Sequence, residues 1–308
     1  MDLRPVELNV SGVDVTVWGD SADLYHSSLP AGGAVFEAAV ALVSRIDDPD
    51  LVMIDVGASI GVVSLAASQL LTSGRVVSAE PEPRAAECLR AGVRDRPNVT
   101  IVETAVGARE GSTGFRQNPA GTAWGTMTDD DPSIEVPVTT LDRLMAESAL
   151  QRVDVVKVDV EGFELDVLSG AEELLSQHAP VLIVELNPYC LWRHGRCFPQ
   201  DLLDHVVGLA PVVAAIGPDG VATDMTIADN REGMLHHLAT TGTIVDLVTV
   251  PAGRDVDLDL REFVPAPEVT HAPEETPPPP PSIVVPSGRM AGVARSAARA
   301  LERRVRRR

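Results

Sequence analysis

The sequence predicts an α/β fold, in which a doubly wound, mostly parallel seven-stranded sheet carries helices on both faces. Short apolar runs alternate with segments of helical periodicity, as in repeated strand–helix units. Acidic residues follow several of these runs, at the point where parallel strands end at one edge of a sheet. The chain has 308 residues, of which 44% are hydrophobic, enough for one large domain with extensions.

The predicted elements follow one another in a regular order. The strands are 51–56, 75–80, 99–104, 153–158, 180–186, 211–216 and 243–250. The helices are 60–71, 83–92, 140–147, 163–177 and 200–208. Between them, the polar residues 111–139 are rich in Gly, Thr and Asp, which indicates a long insertion or an irregular hairpin. These elements define a domain over residues 51–252.

Residues 1–50 precede this domain and are predicted to form a substrate-side segment. Residues 6–18 alternate between apolar and polar types, which predicts a strand or hairpin. Residues 34–46 carry apolar side chains at helical spacing, which predicts a helix.

The first strand of the domain leads into a turn that contains Gly57 and Gly61, and the second ends at Glu80. Glycines let the backbone approach a ligand closely, and an acid at a strand tip can accept hydrogen bonds from ribose hydroxyls. This layout predicts a site for an adenosine-containing cofactor.

The spacing separates the candidate cofactors. The dinucleotide fingerprint G-x-G-x-x-G is incomplete, and a P-loop is absent because the only lysine is Lys157. Asp55 precedes the first glycine by two residues, and a carboxylate there would repel a phosphate. S-adenosyl-L-methionine, with its ammonium, sulfonium and ribose, is the predicted cofactor.

A second group of acids follows the strand 153–158. Asp159 and Glu161 would meet Asp55 and Glu80 at the same sheet edge, and Gly162 permits a sharp turn. Taken alone, the two acids are also typical of a helix N-terminus. Together with the first motif, they are better interpreted as functional residues.

Composition narrows the function and the setting. The net charge of −20 would repel nucleic acid, although acidity can also serve solubility alone. Three cysteines without a CxxC motif indicate a reducing, cytoplasmic environment, and the arginine bias suggests a bacterial source. No signal peptide and no apolar run long enough to span a membrane is evident.

The composition changes after residue 252. Residues 253–286 are acidic and proline-rich, with five consecutive prolines at 277–281, and are predicted to be a linker. Residues 287–308 are arginine-rich, with apolar residues at helical spacing. We expect this tail to dock weakly on an anionic membrane surface or on the protein's own acidic face, and a disordered tail is the alternative.

Six stretches in series resemble the FkbM family of S-adenosylmethionine-dependent methyltransferases. They are IDVGASIG (54–61), GRVVSAEPEP (74–83), NVTIVETAVG (98–107), TLDRL (140–144), DVEGFELDVLSGA (159–171) and PVLIVE (180–185). The resemblance implies a class I methyltransferase-like sheet and O-methylation of a sugar, glycan precursor or secondary metabolite. Ser59 departs from the family, which usually has Asn there. The alternatives are an N- or C-methyltransferase and a noncatalytic cofactor-binding protein.

The resemblance also implies roles for individual residues. The methionine part of the cofactor would contact Asp55, Gly57, Ala58 and Gly61. Glu80 would bind the ribose, and the adenine would lie beside Glu103, Thr104 and Ala105. The reacting groups would lie near Asp159 and Glu161.

The remaining candidates concern the acceptor and a metal. A carboxylate or histidine can take the proton of an alcohol acceptor, and Asp159 and Glu161 lead here. Further substrate candidates are Glu185, Asn187, His194 and His26. Mg²⁺ held by Asp159, Glu161 and Glu185 is a less favoured alternative, so no metal is predicted. Zinc at Cys190, His194 and Cys197 would lack a fourth ligand.

Overall fold

A computed structural model describes residues 1–29, 34–35, 37–254, 256 and 258–261. The predicted tail 287–308 and most of the predicted linker 253–286 lie outside the described residues. Contacts with the domain continue to Arg261, whose backbone N–H donates to the carbonyl of Ala222. Leu258 is buried in the same region.

The structure contains one large sheet and two small ones. The strands are β1 (Leu3–Val10), β2 (Val13–Asp20), β3 (Ala34–Val35), β4 (Val52–Val56), β5 (Arg75–Ala79), β6 (Val99–Val102), β7 (Ala105–Val106), β8 (Gly111–Arg116), β9 (Thr126–Met127), β10 (Ile134–Thr139), β11 (Val155–Val158), β12 (Val181–Leu186), β13 (Val212–Ile216), β14 (Ala222–Asp224) and β15 (Val245–Val250). The large sheet has the order β14-β13-β15-β12-β11-β4-β5-β6. Its β12-β11-β4-β5-β6 part is parallel, and the pairings of β15, β13 and β14 are antiparallel.

Helices cover both faces of the large sheet. They are α1 (Leu24–Ser28), α2 (Ala38–Ile46), α3 (Val62–Leu70), α4 (Pro83–Gly92), α5 (Leu141–Glu147), α6 (Glu164–Ser169), α7 (Glu172–His178), α8 (Pro188–Cys190), α9 (Pro199–Val207) and α10 (Ala228–Thr241). One core contains Met53 of β4 with residues of β1, β2 and α2–α4. The other contains Ile54 with residues of α5–α7, α9 and α10. Successive strand residues point to opposite faces, so a continuous apolar strand supplies both cores.

The predicted doubly wound α/β sheet is confirmed, with eight strands rather than seven. The additional strand, β14, is three residues long and pairs with β13 at the sheet edge. β4 lies where the chain reverses its direction of travel across the sheet, between β5 and β11. Ligands bind outside the carboxyl ends of strands at such a switch point.

The two small sheets are formed by the segments outside the repeating units. β1 and β2 make an antiparallel hairpin, and β3 pairs with β1. The predicted insertion 111–139 forms a sheet of order β7-β10-β8-β9. The hairpin alternative for this segment is therefore realised in the pairing of β8 with β10.

Several helix predictions differ from the structure. The predicted helix 34–46 begins only at Ala38, because Ala34–Val35 pairs with β1 as strand β3. The predicted helix 163–177 is divided into α6 and α7 at Gly170, where a Cβ would lie 2.3 Å from the carbonyl oxygen of Gly107. The close approach of these two loops interrupts the helix. Helix α10 was not predicted, because its buried positions Asn230, Met234 and Leu238 make only a narrow stripe that includes a polar residue. No helix among the described residues has the length and apolar character needed to cross a membrane.

Candidate functional site

A cavity of about 300 Å³ opens at the carboxyl edge of the parallel strands. The carboxyl groups that line it belong to Glu37, Glu80, Asp159, Glu161 and Glu185. Within the described residues, its lining contains no lysine, arginine or histidine. The cavity therefore favours a ligand part that is cationic or neutral over one that is anionic.

The Gly57 turn forms the floor between two strand ends. Its N–H donates to the carbonyl of Ala79, at 3.0 Å, and its φ of +78° suits glycine. A Cβ at this position would lie 1.7 Å from the carbonyl oxygen of Asp159. Glycine is needed here because the loops after β4 and β11 meet backbone to backbone.

Glu80 lies in the cavity wall with its carboxylate held by the backbone. It accepts hydrogen bonds from the N–H groups of Ser59 and Glu82, each at 2.8 Å. Burial raises the pKa of Glu80 to about 7. Each carboxylate oxygen has a second lone pair, so Glu80 can accept further hydrogen bonds from a ligand.

The single lysine of the chain is buried beneath the cavity and 6% exposed. Lys157 donates a hydrogen bond to Asp159 at 2.9 Å, and its Nζ lies 3.8 Å from Oδ1 of Asp55. Burial alone would lower the pKa of Lys157, but Asp159 and Asp55 raise it well above its usual value. The ammonium therefore stays charged and fixes two of the predicted site carboxylates.

Glu161 follows β11 in a left-handed conformation, with a φ of 57°. Its Oε2 accepts a hydrogen bond from the thiol of Cys190 at 2.8 Å, and Nδ1 of His194 lies 3.1 Å from its carbonyl oxygen. Burial raises the pKa of Glu161 above its ordinary value. The segment after β12 therefore holds the backbone and side chain of this acid.

Glu185 differs from the other acids that line the cavity because one of its buried oxygens, Oε2, has no hydrogen-bond partner. Burial, with the nearby charges of Asp159 and Glu161, raises the pKa of Glu185 to about 10. The group therefore carries a proton at neutral pH. It presents a neutral acid to the cavity.

Seven predicted site residues do not line the cavity. Asp55 is fully buried below it, where it accepts a hydrogen bond from Ser64 at 2.5 Å. Glu103 is exposed and pairs with Arg90 on the outer side of β6. Asn187 caps α8 by accepting from the N–H of Cys190. The four others are Ala58, Gly61, His26 and His194.

Each of those four residues has packing contacts within the protein. Ala58 and His26 are buried, and His26 packs against Gly19, where a Cβ would lie 2.3 Å from its ring. Gly61 leaves room for Leu89, because a Cβ at position 61 would lie only 2.3 Å from Cδ1 of that leucine. His194 contacts the backbone of Glu161 from outside the cavity.

Several cavity residues were not predicted from the sequence. Tyr25, Glu37, Phe115, Trp124 and Met127 come from the N-terminal segment and the 111–139 insertion. Their segments lack a local motif, and only the fold brings them to the sheet edge. The scarcity of aromatic residues, 3% of the chain, was the one available signal. An aromatic residue in a polar insertion is a candidate ligand contact.

The described residues contain no group of three or more His, Cys, Asp or Glu side chains arranged to hold a metal ion. Asp159 is engaged by Lys157, and Glu161 by the thiol of Cys190. Two of the three acids considered for Mg²⁺, Asp159 and Glu161, thus have partners within the protein. The third, Glu185, has a raised pKa, which favours its protonated form.

The buried acids predict a pH dependence of stability. Burial raises the pKa values of Glu37, Glu80 and Glu164 to about 7, from an ordinary value of 4.5. Between these values the folded protein holds more protons than the unfolded chain, so stability falls as pH rises through this window. We expect Tm to be about 5 °C or more lower at pH 8 than at pH 6 in calorimetry. In the double variant Glu37→Gln and Glu164→Gln, Tm should depend less on pH. If Tm depends on pH as steeply as in the unaltered protein, these acids are not the cause.

Comparison with known proteins finds a matching domain model and two similar proteins. The Methyltransferase FkbM domain model matches residues 55–196. The 2-O-methyltransferase NoeI of Sinorhizobium fredii is 29% identical over 154 residues, covering 44% of this chain and 63% of that protein. The hexuronic acid methyltransferase AglP of Haloferax volcanii is 30% identical over 157 residues, covering 50% of this chain and 61% of that protein. The chain thus matches about three fifths of the length of each of these relatives.

The solved structures include the methyltransferase FkbM from Methylobacillus flagellatus KT. The two chains are 17% identical, and the match covers 66% of this chain and 44% of that one, with a TM-score of 0.44. The matched residues 55–196 run from the end of β4 through α8 and include every cavity acid except Glu37. Residues 55–196 of this chain thus match the FkbM methyltransferase domain model, as the sequence motifs predicted.

Proposed function

We propose that this protein is an S-adenosyl-L-methionine-dependent O-methyltransferase that acts on a hydroxyl of a saccharide. The observation that carries the proposal is the acidic cavity at the switch point, where the N–H groups of Ser59 and Glu82 hold the carboxylate of Glu80. The FkbM domain match, the relative named as a 2-O-methyltransferase and the relative named as a hexuronic acid methyltransferase support the same reaction class.

The residues present fit this cofactor. The carboxyl-lined cavity suits a ligand with an ammonium and a sulfonium. Glu80 retains acceptor capacity for ribose hydroxyls, while Phe115, Trp124 and Met127 give an apolar surface for an adenine. When bound, S-adenosylmethionine supplies an activated methyl group on sulfur.

The protein's own task is then to orient the acceptor hydroxyl, exclude water and take up its proton. We assign the proton to Glu161, because it lines the cavity and its pKa is raised by burial, whereas the carboxylate of Asp159 is ion-paired with Lys157. Asp159 acts by holding the loop after β11 in position. Glu185, protonated at neutral pH, can donate a hydrogen bond to an acceptor oxygen.

Cofactor binding gives the most direct test. Glu80→Ala should weaken binding of S-adenosylhomocysteine by about 1.5–3 kcal/mol in calorimetry, since hydrogen bonds to a charged group are lost. The matched control is Glu103→Ala, which removes an exposed acid outside the cavity and should leave affinity unchanged. Absence of binding to the intact protein would refute the cofactor, and an equal loss in both variants would refute the role of Glu80.

The reaction itself is tested by incubating the protein with S-adenosylmethionine and a panel of neutral and acidic saccharides. Mass spectrometry and NMR of the product should show a methyl group on oxygen. A methyl on nitrogen or carbon would establish one of the alternative reactions. Cofactor binding without turnover on saccharides or other metabolites would favour a noncatalytic protein.

A further inference from the structure

The segment after β12 forms an unusual exposed surface beside the cavity. Tyr189, Trp192 and Phe198 are 66%, 65% and 65% exposed, in a chain with few aromatic residues. Trp192 and Phe198 line a shallow groove of about 460 Å³ together with Arg193 and Arg196. We call the residues 189–198 the aromatic platform.

The two arginines make this surface positive in a protein of net charge −20. Both are exposed, and neither guanidinium group forms a hydrogen bond or ion pair within the described part of the chain. Asp201, the nearest acid that follows in the sequence, already accepts a hydrogen bond from the N–H of Phe198 at 3.2 Å. Unpaired guanidinium groups bind carboxylates and phosphates with defined geometry.

The platform is fixed to the wall of the cavity. A Cβ on Gly195 would lie 1.8 Å from the carbonyl oxygen of Gly162, so the two loops are in backbone contact. Cys190 and His194 hold Glu161, which lines the cavity. The residues Leu191–Gly195 form a π-helical turn, and Arg196 has a φ of 52°. Such irregular backbone is often found at functional sites.

Cavity and platform have opposite charge preferences. The acids inside the cavity disfavour an anionic group there, whereas the arginines of the platform attract one. Exposed aromatic rings pack against apolar faces, and pyranose rings offer such faces beside their hydroxyls. A ligand that satisfies both regions is a saccharide with a neutral hydroxyl-bearing ring and an anionic neighbour.

We propose that the aromatic platform binds an anionic saccharide unit adjacent to the sugar that enters the cavity. This proposal deepens the proposed function and rests on it for the role of the cavity. It assigns Trp192 to stacking on a sugar ring and Arg193 and Arg196 to its carboxylate or phosphate. Acceptors with an acidic neighbouring unit are then preferred over wholly neutral ones.

Two oligosaccharides of the same length test the platform on the full-length protein, by calorimetry or ligand-observed NMR. Sialyllactose, which joins one acidic unit to two neutral rings, is the anionic probe, and galactosyllactose is the neutral one. Sialyllactose should bind more tightly, and added salt should weaken its binding. The double variant Arg193→Gln and Arg196→Gln should reduce its affinity at least about fivefold, with little effect on galactosyllactose. Trp192→Ala should weaken the binding of both.

Arg109→Gln is the matched control, because Arg109 is also exposed and unpaired among the described residues but lies outside the platform. Comparison between variants of the full chain cancels any contribution of the arginine-rich tail. S-adenosylhomocysteine binding, measured on the same samples, reports separately on the proposed function. It should be unchanged in the platform variants.

Failure of sialyllactose to bind, or equal binding to the Arg193→Gln and Arg196→Gln variant, would overturn the proposal. Sedimentation with phosphatidylcholine–phosphatidylglycerol vesicles is a second test, which asks whether the platform contacts a membrane. Vesicle binding that requires Arg193 and Arg196, without oligosaccharide binding, would identify the platform as a membrane contact and also overturn it.

Discussion

Replacement of Lys157 by methionine is expected to lower the free energy of unfolding by about 3–5 kcal/mol, because it leaves the buried carboxylate of Asp55 and the partly exposed one of Asp159 without their cation. The ammonium lies 2.9 Å from Asp159 and 3.8 Å from Asp55, and no other Lys or Arg among the described residues is ion-paired with either acid. Urea denaturation followed by circular dichroism would measure the loss.

Two further variants separate the charge from the volume of the side chain. Lys157→Arg keeps the charge and should lose less stability than Lys157→Met. Adding Asp55→Asn and Asp159→Asn to Lys157→Met removes the uncompensated charges, so part of the stability should return. If the triple variant is no more stable than Lys157→Met, the ion-pair explanation is wrong and packing accounts for the loss.

The fold was predictable because its strands are apolar on both faces. Strands such as β4 and β12 supply residues to two cores, so they appear in the sequence as short continuous apolar runs. Positions where two loops meet were less visible. The interruption between α6 and α7 depends on Gly107, more than sixty residues before Gly170, and no local signal reports that contact.

The site was predictable only at the strand ends. Gly57, Glu80, Asp159, Glu161 and Glu185 follow apolar runs, and the parallel topology brings them to one cavity. The direction of a side chain at a strand end is less predictable. Asp55 belongs to the same motif, yet it faces Ser64 and Lys157 below the cavity.

The role of Lys157 shows another limit of local sequence patterns. From the sequence, the single lysine only excluded a P-loop, because nothing nearby marks it as the partner of an acid in another strand. In the structure, β11 pairs with β4 so that Lys157 lies directly beside Asp55. The ion pair thus depends on strand register, which the sequence of either strand alone does not specify.

Glu161→Gln is expected to reduce turnover by on the order of 10²–10⁴ while the Kd for S-adenosylhomocysteine stays within about twofold, because general base catalysis is lost but the cofactor contacts remain. Glutamine keeps the size of the side chain and can still accept the thiol hydrogen bond of Cys190. Single-turnover kinetics on a saccharide accepted by the intact enzyme, with calorimetry for the cofactor, would measure the two quantities.

Glu185→Gln and Asp159→Asn distinguish the roles of the neighbouring acids. Since its pKa of about 10 keeps Glu185 protonated at neutral pH, a neutral amide there should preserve most of the turnover. Asp159→Asn should lower turnover together with the free energy of unfolding, because Lys157 loses its nearest partner. Full turnover in Glu161→Gln would exclude Glu161 as the base. A large loss confined to Glu185→Gln would transfer that role to Glu185.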